Sequence, residues 1–112
     1  MAKSYLDEKY SIIYVTCSEL KDSAQIGLTL LYEKLAACVT VIPSTISIYR
    51  WKDNIQQDSE VQLVIKTRSS SFSEVSKLIK ELHSAELPEI IAVEITQATD
   101  EYKKWLYDET NK

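Results

Sequence analysis

The longest alternating apolar run in the sequence reads Leu35-Ala-Ala-Cys38-Val-Thr-Val-Ile-Pro-Ser-Thr-Ile-Ser-Ile-Tyr-Arg-Trp51. Apolar residues 39 and 41 share one parity before Pro43, and residues 46 and 48 share the other parity after it. Apolar residues at every second position, many of them β-branched or aromatic, predict a β-strand. At about 3.3 Å per residue the strand from 39 to 51 would be roughly 43 Å long, whereas a compact chain of this length is roughly 34 Å across. We therefore expect the strand to bend or protrude, with the bend at Pro43, which cannot donate to a β-ladder.

A second alternating run follows at residues 59–67, with apolar side chains at positions 61, 63 and 65. The polar residues 51–58 between the two runs are rich in turn formers, and this pattern predicts the loop of a long antiparallel hairpin. The hairpin tip would extend beyond its own domain, yet it carries Ile48, Tyr49, Trp51 and Ile55. Exposed apolar strand edges favour association. We therefore expect other copies of the chain to cover this arm.

The composition is that of an ordinary globular domain. The chain has 112 residues, of which 45% are hydrophobic and 27% charged, and this length predicts one domain. The formal net charge of -4 argues against nucleic acid as a partner, because that affinity comes from Lys and Arg at phosphates. A run of about 20 apolar residues is absent from the sequence, so we expect no membrane partner.

Glycine and cysteine usage narrows the class of protein further. Gly27 is the single glycine, so glycine-rich phosphate-binding loops cannot be formed. Cys17 and Cys38 both adjoin apolar runs and are predicted to be buried free thiols in a reducing compartment. The charged N-terminal residues do not resemble the apolar region of a signal peptide. Together these features predict a cytoplasmic protein.

The predicted domain begins after residues 1–10, which we interpret as a disordered or extended N-terminal segment. Residues 11–112 are predicted to form a single domain. Strands are expected at 11–17, within the hairpin, and at 90–95. Helices are expected at about 19–35, at about 72–83, and near the C-terminus. The order β-α-β-β-α-β predicts an α+β, ferredoxin-like sandwich: a four-stranded antiparallel sheet with helices on one face, followed by a C-terminal helix. The other face would need a partner subunit.

Three residues are predicted to cap these helices. Ser18 is expected to cap the first helix, Thr99 the last, and Ser71 to form a capping box with Glu74 before the second. In the first helix, Gly27 is interpreted as the point where the helix approaches a strand closely.

Candidate ligand residues are few. His83 is the sole histidine, with Glu86 and Glu89 close in sequence and Cys17 at the end of the first strand. Imidazole and thiolate would suit copper or zinc better than magnesium. In the alternative interpretation, His83 is a connector residue hydrogen-bonded to backbone or to a carboxylate. Without a catalytic grouping in the sequence, we predict that the protein is not an enzyme.

Two further clusters have more than one interpretation. Residues 66–68, Lys-Thr-Arg, end the predicted third strand and would either bind an anion together or form a solvated strand end. Tyr49 and Trp51 are interpreted as interface anchors, because aromatic side chains dominate protein interfaces.

A series of motifs is spread over residues 11–107: Glu33-Lys34-Leu35-Ala36-Ala37-Cys38-Val39, Ile42-Pro43, Ser47-Ile48-Tyr49-x-Trp51, Asp58-Ser59-Glu60-Val61, Ile65-Lys66-Thr67-Arg68, Leu82-His83, Leu87-Pro88-Glu89-Ile90-Ile91-Ala92 and Asp100-Glu-Tyr102-x-x-Trp105-Leu106. These motifs resemble those of the CutA divalent-cation tolerance family. The resemblance implies a tight homotrimer whose hairpin arms pair between subunits, and a fold likeness to the trimeric PII signalling proteins.

The resemblance also implies a ligand: copper or another divalent cation, not required for folding. The metal ligands would be His83, Cys17 and Glu86. The clefts between subunits would be lined by Tyr49, Trp51, Lys66 and Glu89. The alternative function is a PII-like sensor of a small molecule or partner protein, without a physiological metal.

Overall fold

The computed structural model describes residues 4–111. Its elements in chain order are β1 (Tyr10–Cys17), α1 (Leu20–Tyr32), β2 (Cys38–Trp51), β3 (Asn54–Arg68), α2 (Phe72–Leu82), β4 (Ile90–Ile95) and α3 (Asp100–Glu109). The strands form a four-stranded sheet in the order β2-β3-β1-β4, and each neighbouring pair is antiparallel. This topology confirms the predicted ferredoxin-like sandwich. Residues 1–3 of the predicted N-terminal segment, and Lys112, lie outside the described residues.

The core lies on one face of the sheet. Ile13 pairs with Ile65 across β1 and β3, and Val15 pairs with Leu63; all four side chains are buried. They form one cluster with apolar residues of α1 and α2, namely Ile26, Leu30, Val75 and Ile79. Because side chains alternate along a strand, the even-numbered residues of β1 and β3 face the other way. That open face carries partly exposed apolar groups, as predicted.

A β-bulge at Pro43 explains the change of parity in the long strand. Ile42 pairs with Gln62 and Thr45 pairs with Glu60, so Pro43 and Ser44 together lie opposite a single residue of β3. The bulge residue Ser44 has φ 60°. Because two residues oppose one, apolar positions 39 and 41 before the bulge and 46 and 48 after it lie on the same side of the hairpin.

The prediction of a loop at residues 51–58 is wrong. β3 begins at Asn54, which pairs with Trp51, and the turn consists of Lys52 and Asp53 alone. Their φ angles are 48° and 67°, as a type I′ turn requires. Residues 54–58, which are polar except for Ile55, join the ladder because an arm that extends beyond the helices needs no buried side chain there. The long axis of the molecule is 51 Å, against 26 and 22 Å for the other two.

The first helix ends three residues earlier than predicted. Lys34 adopts φ 56°. The N–H of Leu35 bonds to the carbonyl oxygen of Leu30 at 2.9 Å, and that of Lys34 to Leu31 at 3.0 Å. This pair of bonds is the Schellman motif that ends a helix.

The predicted close approach of the first helix to a strand at Gly27 is confirmed, since a Cβ there would lie 3.2 Å from Val39 Cγ1.

The capping predictions have mixed outcomes. Thr99 Oγ1 accepts the N–H of Tyr102 at 3.2 Å and caps α3 as predicted. At α1 the N-cap is Glu19, so the assignment of Ser18 is wrong. Among the described residues, the Ser71 side chain accepts no capping bond at α2. Ser71 already has helical φ and ψ because residues 69–71 form a 3-10 turn, and a side chain caps from an extended residue.

Arg68 joins both ends of the chain to the sheet. Its Nε donates to Thr110 Oγ1 at 2.8 Å, and its NH2 group donates to the carbonyl oxygen of Tyr107 at 2.7 Å. The guanidinium also lies 4.0 Å from the Tyr107 ring centroid and 3.6 Å from Glu8, with both charged side chains largely buried. Arg68 therefore positions α3 and the segment before β1.

Within residues 4–111, helices long and apolar enough to cross a membrane are absent.

Candidate functional site

The hairpin arm and the connector between α2 and β4 border a cavity of about 690 Å³. Its lining consists of arm residues 47–51, connector residues 83 and 85–89, Thr16 and Glu60. We call this site the arm cavity. It brings together two of the predicted metal ligands, His83 and Glu86, with three of the predicted cleft residues, Tyr49, Trp51 and Glu89. Residues that are distant in sequence meet here because the arm extends past the end of β1.

Both ring nitrogens of His83 contact the backbone. Nε2 lies 2.6 Å from the carbonyl oxygen of Thr16, and Nδ1 accepts the N–H of Ala85 at 3.0 Å. An acceptor nitrogen carries no proton, so these partners assign the neutral tautomer with the proton on Nε2. The histidine thereby links the connector to the C-terminal end of strand β1. A metal ion on either nitrogen would have to replace one of these two bonds.

Cys17 does not lie with the other predicted ligands. Its side chain is 1% exposed and belongs to the core cluster, and burial raises the pKa of its thiol, opposed by a hydrogen bond from Ser23. Glu86 lies at the cavity rim and forms an exposed ion pair with Lys52 at 3.9 Å. Within residues 4–111, groups of three or more His, Cys, Asp or Glu side chains in metal-binding proximity are absent.

The arm contributes two aromatic side chains and a carboxylate contact. Tyr49 donates its hydroxyl to Asp58 across the hairpin, and this bond raises the pKa of the phenol. The Lys52 ammonium lies 5.7 Å from the Trp51 ring centroid. The lining thus combines aromatic surface with the carboxylates of Glu60, Glu86 and Glu89.

The remaining predicted site residue lies elsewhere in the sheet. Lys66 pairs with Ile12 of β1 and with Cys38 of β2, toward the opposite end of β3 from the arm. Its neighbour Thr67 is buried and donates to the carbonyl oxygen of Leu35 at 2.6 Å. Since Arg68 also has internal partners, residues 66–68 do not act together as an anion site. The alternation of apolar residues along β3 puts Thr67 on the buried face. That alternation was the sequence signal against a shared anion site at residues 66–68.

The comparisons with known proteins agree with this architecture. A model of the CutA1 divalent ion tolerance protein family matches residues 11–109. The Xenopus laevis Protein CutA homolog is 42% identical over 94% of the chain and 70% of its own length. The chloroplastic Protein CutA of Arabidopsis thaliana is 36% identical over 88% of the chain. The chain spans only 54% of that plant protein.

A solved structure supports the same assignment. The periplasmic divalent cation tolerance protein CutA from Archaeoglobus fulgidus superposes with a TM-score of 0.89 at 33% identity, and the match covers 91% of this chain and 99% of that one. The family match, the identities and the structural superposition point to one conclusion. The chain belongs to the CutA1 divalent ion tolerance family.

Proposed function

We propose that this protein works in divalent-cation tolerance as a PII-like homotrimer whose hairpin arms pair between subunits, with copper as the bound ion. The observation that carries the proposal is the exposed apolar arm. The proposal includes no catalytic step, because the family is named for ion tolerance rather than for a reaction.

The distribution of apolar surface supports assembly. Six large aliphatic side chains on the arm and the open sheet face are between 40% and 68% exposed: Ile42, Ile46, Ile48, Ile55, Ile91 and Val93. Burying such a side chain fully is worth about 1.5–3 kcal/mol. Edge strands β2 and β4 also carry backbone groups that another strand can pair. Two further copies of the chain would cover these surfaces.

The proposed metal ligands are His83 and Glu86, with Cys17. An imidazole and a carboxylate that border one cavity suit copper(II). Copper at Nδ1 would displace the Ala85 amide and would therefore loosen the connector. Cys17 is enclosed in the core and would contribute only after this end of the sheet opens.

Two measurements test the proposal. Light scattering should give three times the 12.8 kDa protomer mass, and an Ile46→Lys, Ile48→Lys double variant should give a smaller mass because buried charge is unfavourable. A stable wild-type monomer would refute the trimer.

Titration calorimetry with copper(II) should show binding that is stronger than with magnesium(II) and that is lost in His83→Ala. Equal copper binding in both proteins would remove His83 as a ligand.

A second candidate function is a sensor of a small molecule or partner protein that needs no metal. Two observations favour it: both His83 nitrogens already have partners, and the arm cavity has a volume typical of small-molecule sites. A thermal-shift screen of metabolites in the presence of a chelator tests this function. An organic compound that raises the melting temperature would support it. A response to copper in a parallel chelator-free series, with no response to any metabolite, would refute it.

We also propose a cytoplasmic location. Cys17 and Cys38 are free thiols, as is usual in reducing compartments. Relatives occupy other compartments, since the Arabidopsis protein is chloroplastic and the Archaeoglobus protein periplasmic. Fractionation of the source cells, with thiol labelling before and after reduction, tests the proposal.

A further inference from the structure

We propose that the arm cavity binds a small linear oligoamine, an organic cation with two or more ammonium groups. The cation would lie between the Trp51 ring and the carboxylates of Glu60, Glu86 and Glu89. The inference names a ligand class for the metal-free sensor function, on which it rests.

The first support is that the chain places one of its own ammonium groups at the rim of this site. Lys52 Nζ lies 5.7 Å from the Trp51 ring centroid and 3.9 Å from Glu86 Oε2. An aromatic face and a carboxylate are the two groups that attract an ammonium ion. In the single protomer the Lys52 side chain is 72% exposed, so it is free to move aside there. We interpret Lys52 as an internal competitor that a ligand ammonium replaces.

The second support is the charge of the lining. The cavity is bordered by three carboxylates, those of Glu60, Glu86 and Glu89, and by one guanidinium, that of Arg50. His83 adds no charge in its neutral tautomer. Lys52 at the rim, paired with Glu86, offsets a further carboxylate, so the three carboxylates exceed the cationic groups by one charge, and by two once Lys52 is displaced. This excess disfavours anionic ligands and favours a ligand that brings two ammonium groups.

The third support separates an organic cation from a metal ion. A hard metal ion needs several oxygen ligands at about 2–2.6 Å, and within residues 4–111 no three acidic, histidine or cysteine side chains are placed to provide them. Tyr49 and Trp51 supply ring surface instead, which packs against methylene groups. A volume of about 690 Å³ also exceeds what a single ion fills, whereas a chain of methylenes joining ammonium groups can extend along it.

The test is a titration with spermidine in the presence of a chelator. Trp105→Phe is introduced so that fluorescence reports on Trp51 alone. Glu86→Gln should weaken binding about 2- to 5-fold, and Trp51→Leu, followed by calorimetry, should weaken it by a similar factor. Lys52→Ala should strengthen binding about 2- to 5-fold because the internal competitor is removed. Circular dichroism and light scattering confirm that each variant retains the wild-type fold and mass.

Lys21→Ala is the matched control, because Lys21 is also exposed and pairs with a glutamate, Glu19, at 3.6 Å, but lies outside the cavity. It should leave spermidine binding unchanged. Equal strengthening in Lys21→Ala and Lys52→Ala would overturn the inference as general electrostatic attraction. Displacement of spermidine by an equal concentration of magnesium, measured in a separate chelator-free titration, would overturn it in the same way. Absence of spermidine binding would also overturn it, while the metabolite screen would still report on the sensor function separately.

Discussion

The Nε2 atom of His83 lies 2.6 Å from the carbonyl oxygen of Thr16, a residue 67 positions earlier in the chain. Together with the bond from the Ala85 N–H to Nδ1, this contact closes one wall of the arm cavity. The single histidine of the sequence is therefore a structural link between β1 and the connector, whatever ligand the cavity accepts.

We predict that His83→Ala lowers the free energy of unfolding by about 1–3 kcal/mol, because two backbone groups lose their partner. His83→Asn should recover part of the loss through the Ala85 amide, and His83→Gln part of it through Thr16. Urea denaturation at fixed protomer concentration measures the change. Ser84→Ala, at an exposed neighbour, is the control. An unchanged midpoint in His83→Ala would contradict this role.

Replacement of Arg68 should release both ends of the chain. Arg68→Leu removes an ion pair with Glu8 and two hydrogen bonds, one to α3 and one to its C-cap residue Thr110. We expect a loss of about 2–4 kcal/mol because Glu8 stays buried without its partner. Arg68→Lys should recover little, since an ammonium cannot reproduce the planar contacts. Hydrogen exchange should accelerate in α3 before the core. Uniform acceleration along the chain would indicate global unfolding instead.

Gly27 and Val39 should be energetically coupled. Alanine at position 27 gains up to about 1 kcal/mol of helix propensity, but its Cβ would lie 3.2 Å from Val39 Cγ1. We predict that Gly27→Ala is more favourable in a Val39→Ala background by about 0.5–1 kcal/mol. A double-mutant cycle by denaturation measures this difference. Additive effects would show that Val39 moves aside without energetic penalty.

Alkaline pH should destabilise the fold through Cys17. Burial raises the pKa of this thiol above the ordinary value of 9.0, so the unfolded chain loses its proton first as pH rises. The contribution of the buried thiol to the free energy of unfolding is fully present below the ordinary pKa. It is lost as the pH rises through the raised pKa of the folded state. Cys17→Ala should reduce the fall in unfolding free energy between about pH 8 and pH 10. Tyr10, whose pKa burial also raises, should sustain a fall at higher pH.

The same thiol should be slow to react. Ellman's reagent should label the partly exposed Cys38 first and Cys17 only on unfolding. In the pH experiment, the unfolding free energy of the wild type and of Cys17→Ala could fall equally between about pH 8 and pH 10. Equal falls would contradict the assignment of the alkaline loss of stability to Cys17.

The order and type of the elements follow from the sequence because they depend on local periodicity. Alternation placed Val61, Leu63 and Ile65 on one face of the third strand, and the change of parity at Pro43 predicted a bend, which the structure forms as a β-bulge. Local signals failed where two motifs looked alike. Thr99 caps its helix and Ser71 does not, because a 3-10 turn had already made Ser71 helical. The polar residues after Asp53 also resembled a loop, although an exposed strand has no need for apolar side chains.

Only the tertiary structure decided which distant groups meet. Arg68 contacts Glu8 near one end of the chain and Thr110 near the other, and His83 contacts Thr16 across α1 and the whole hairpin in sequence. Periodicity assigns a residue to a face, but its partner depends on strand order and on the packing of elements that sequence spacing does not encode. For that reason the amino-acid sequence determined the framework of this protein, and the packing of the framework created the cavity.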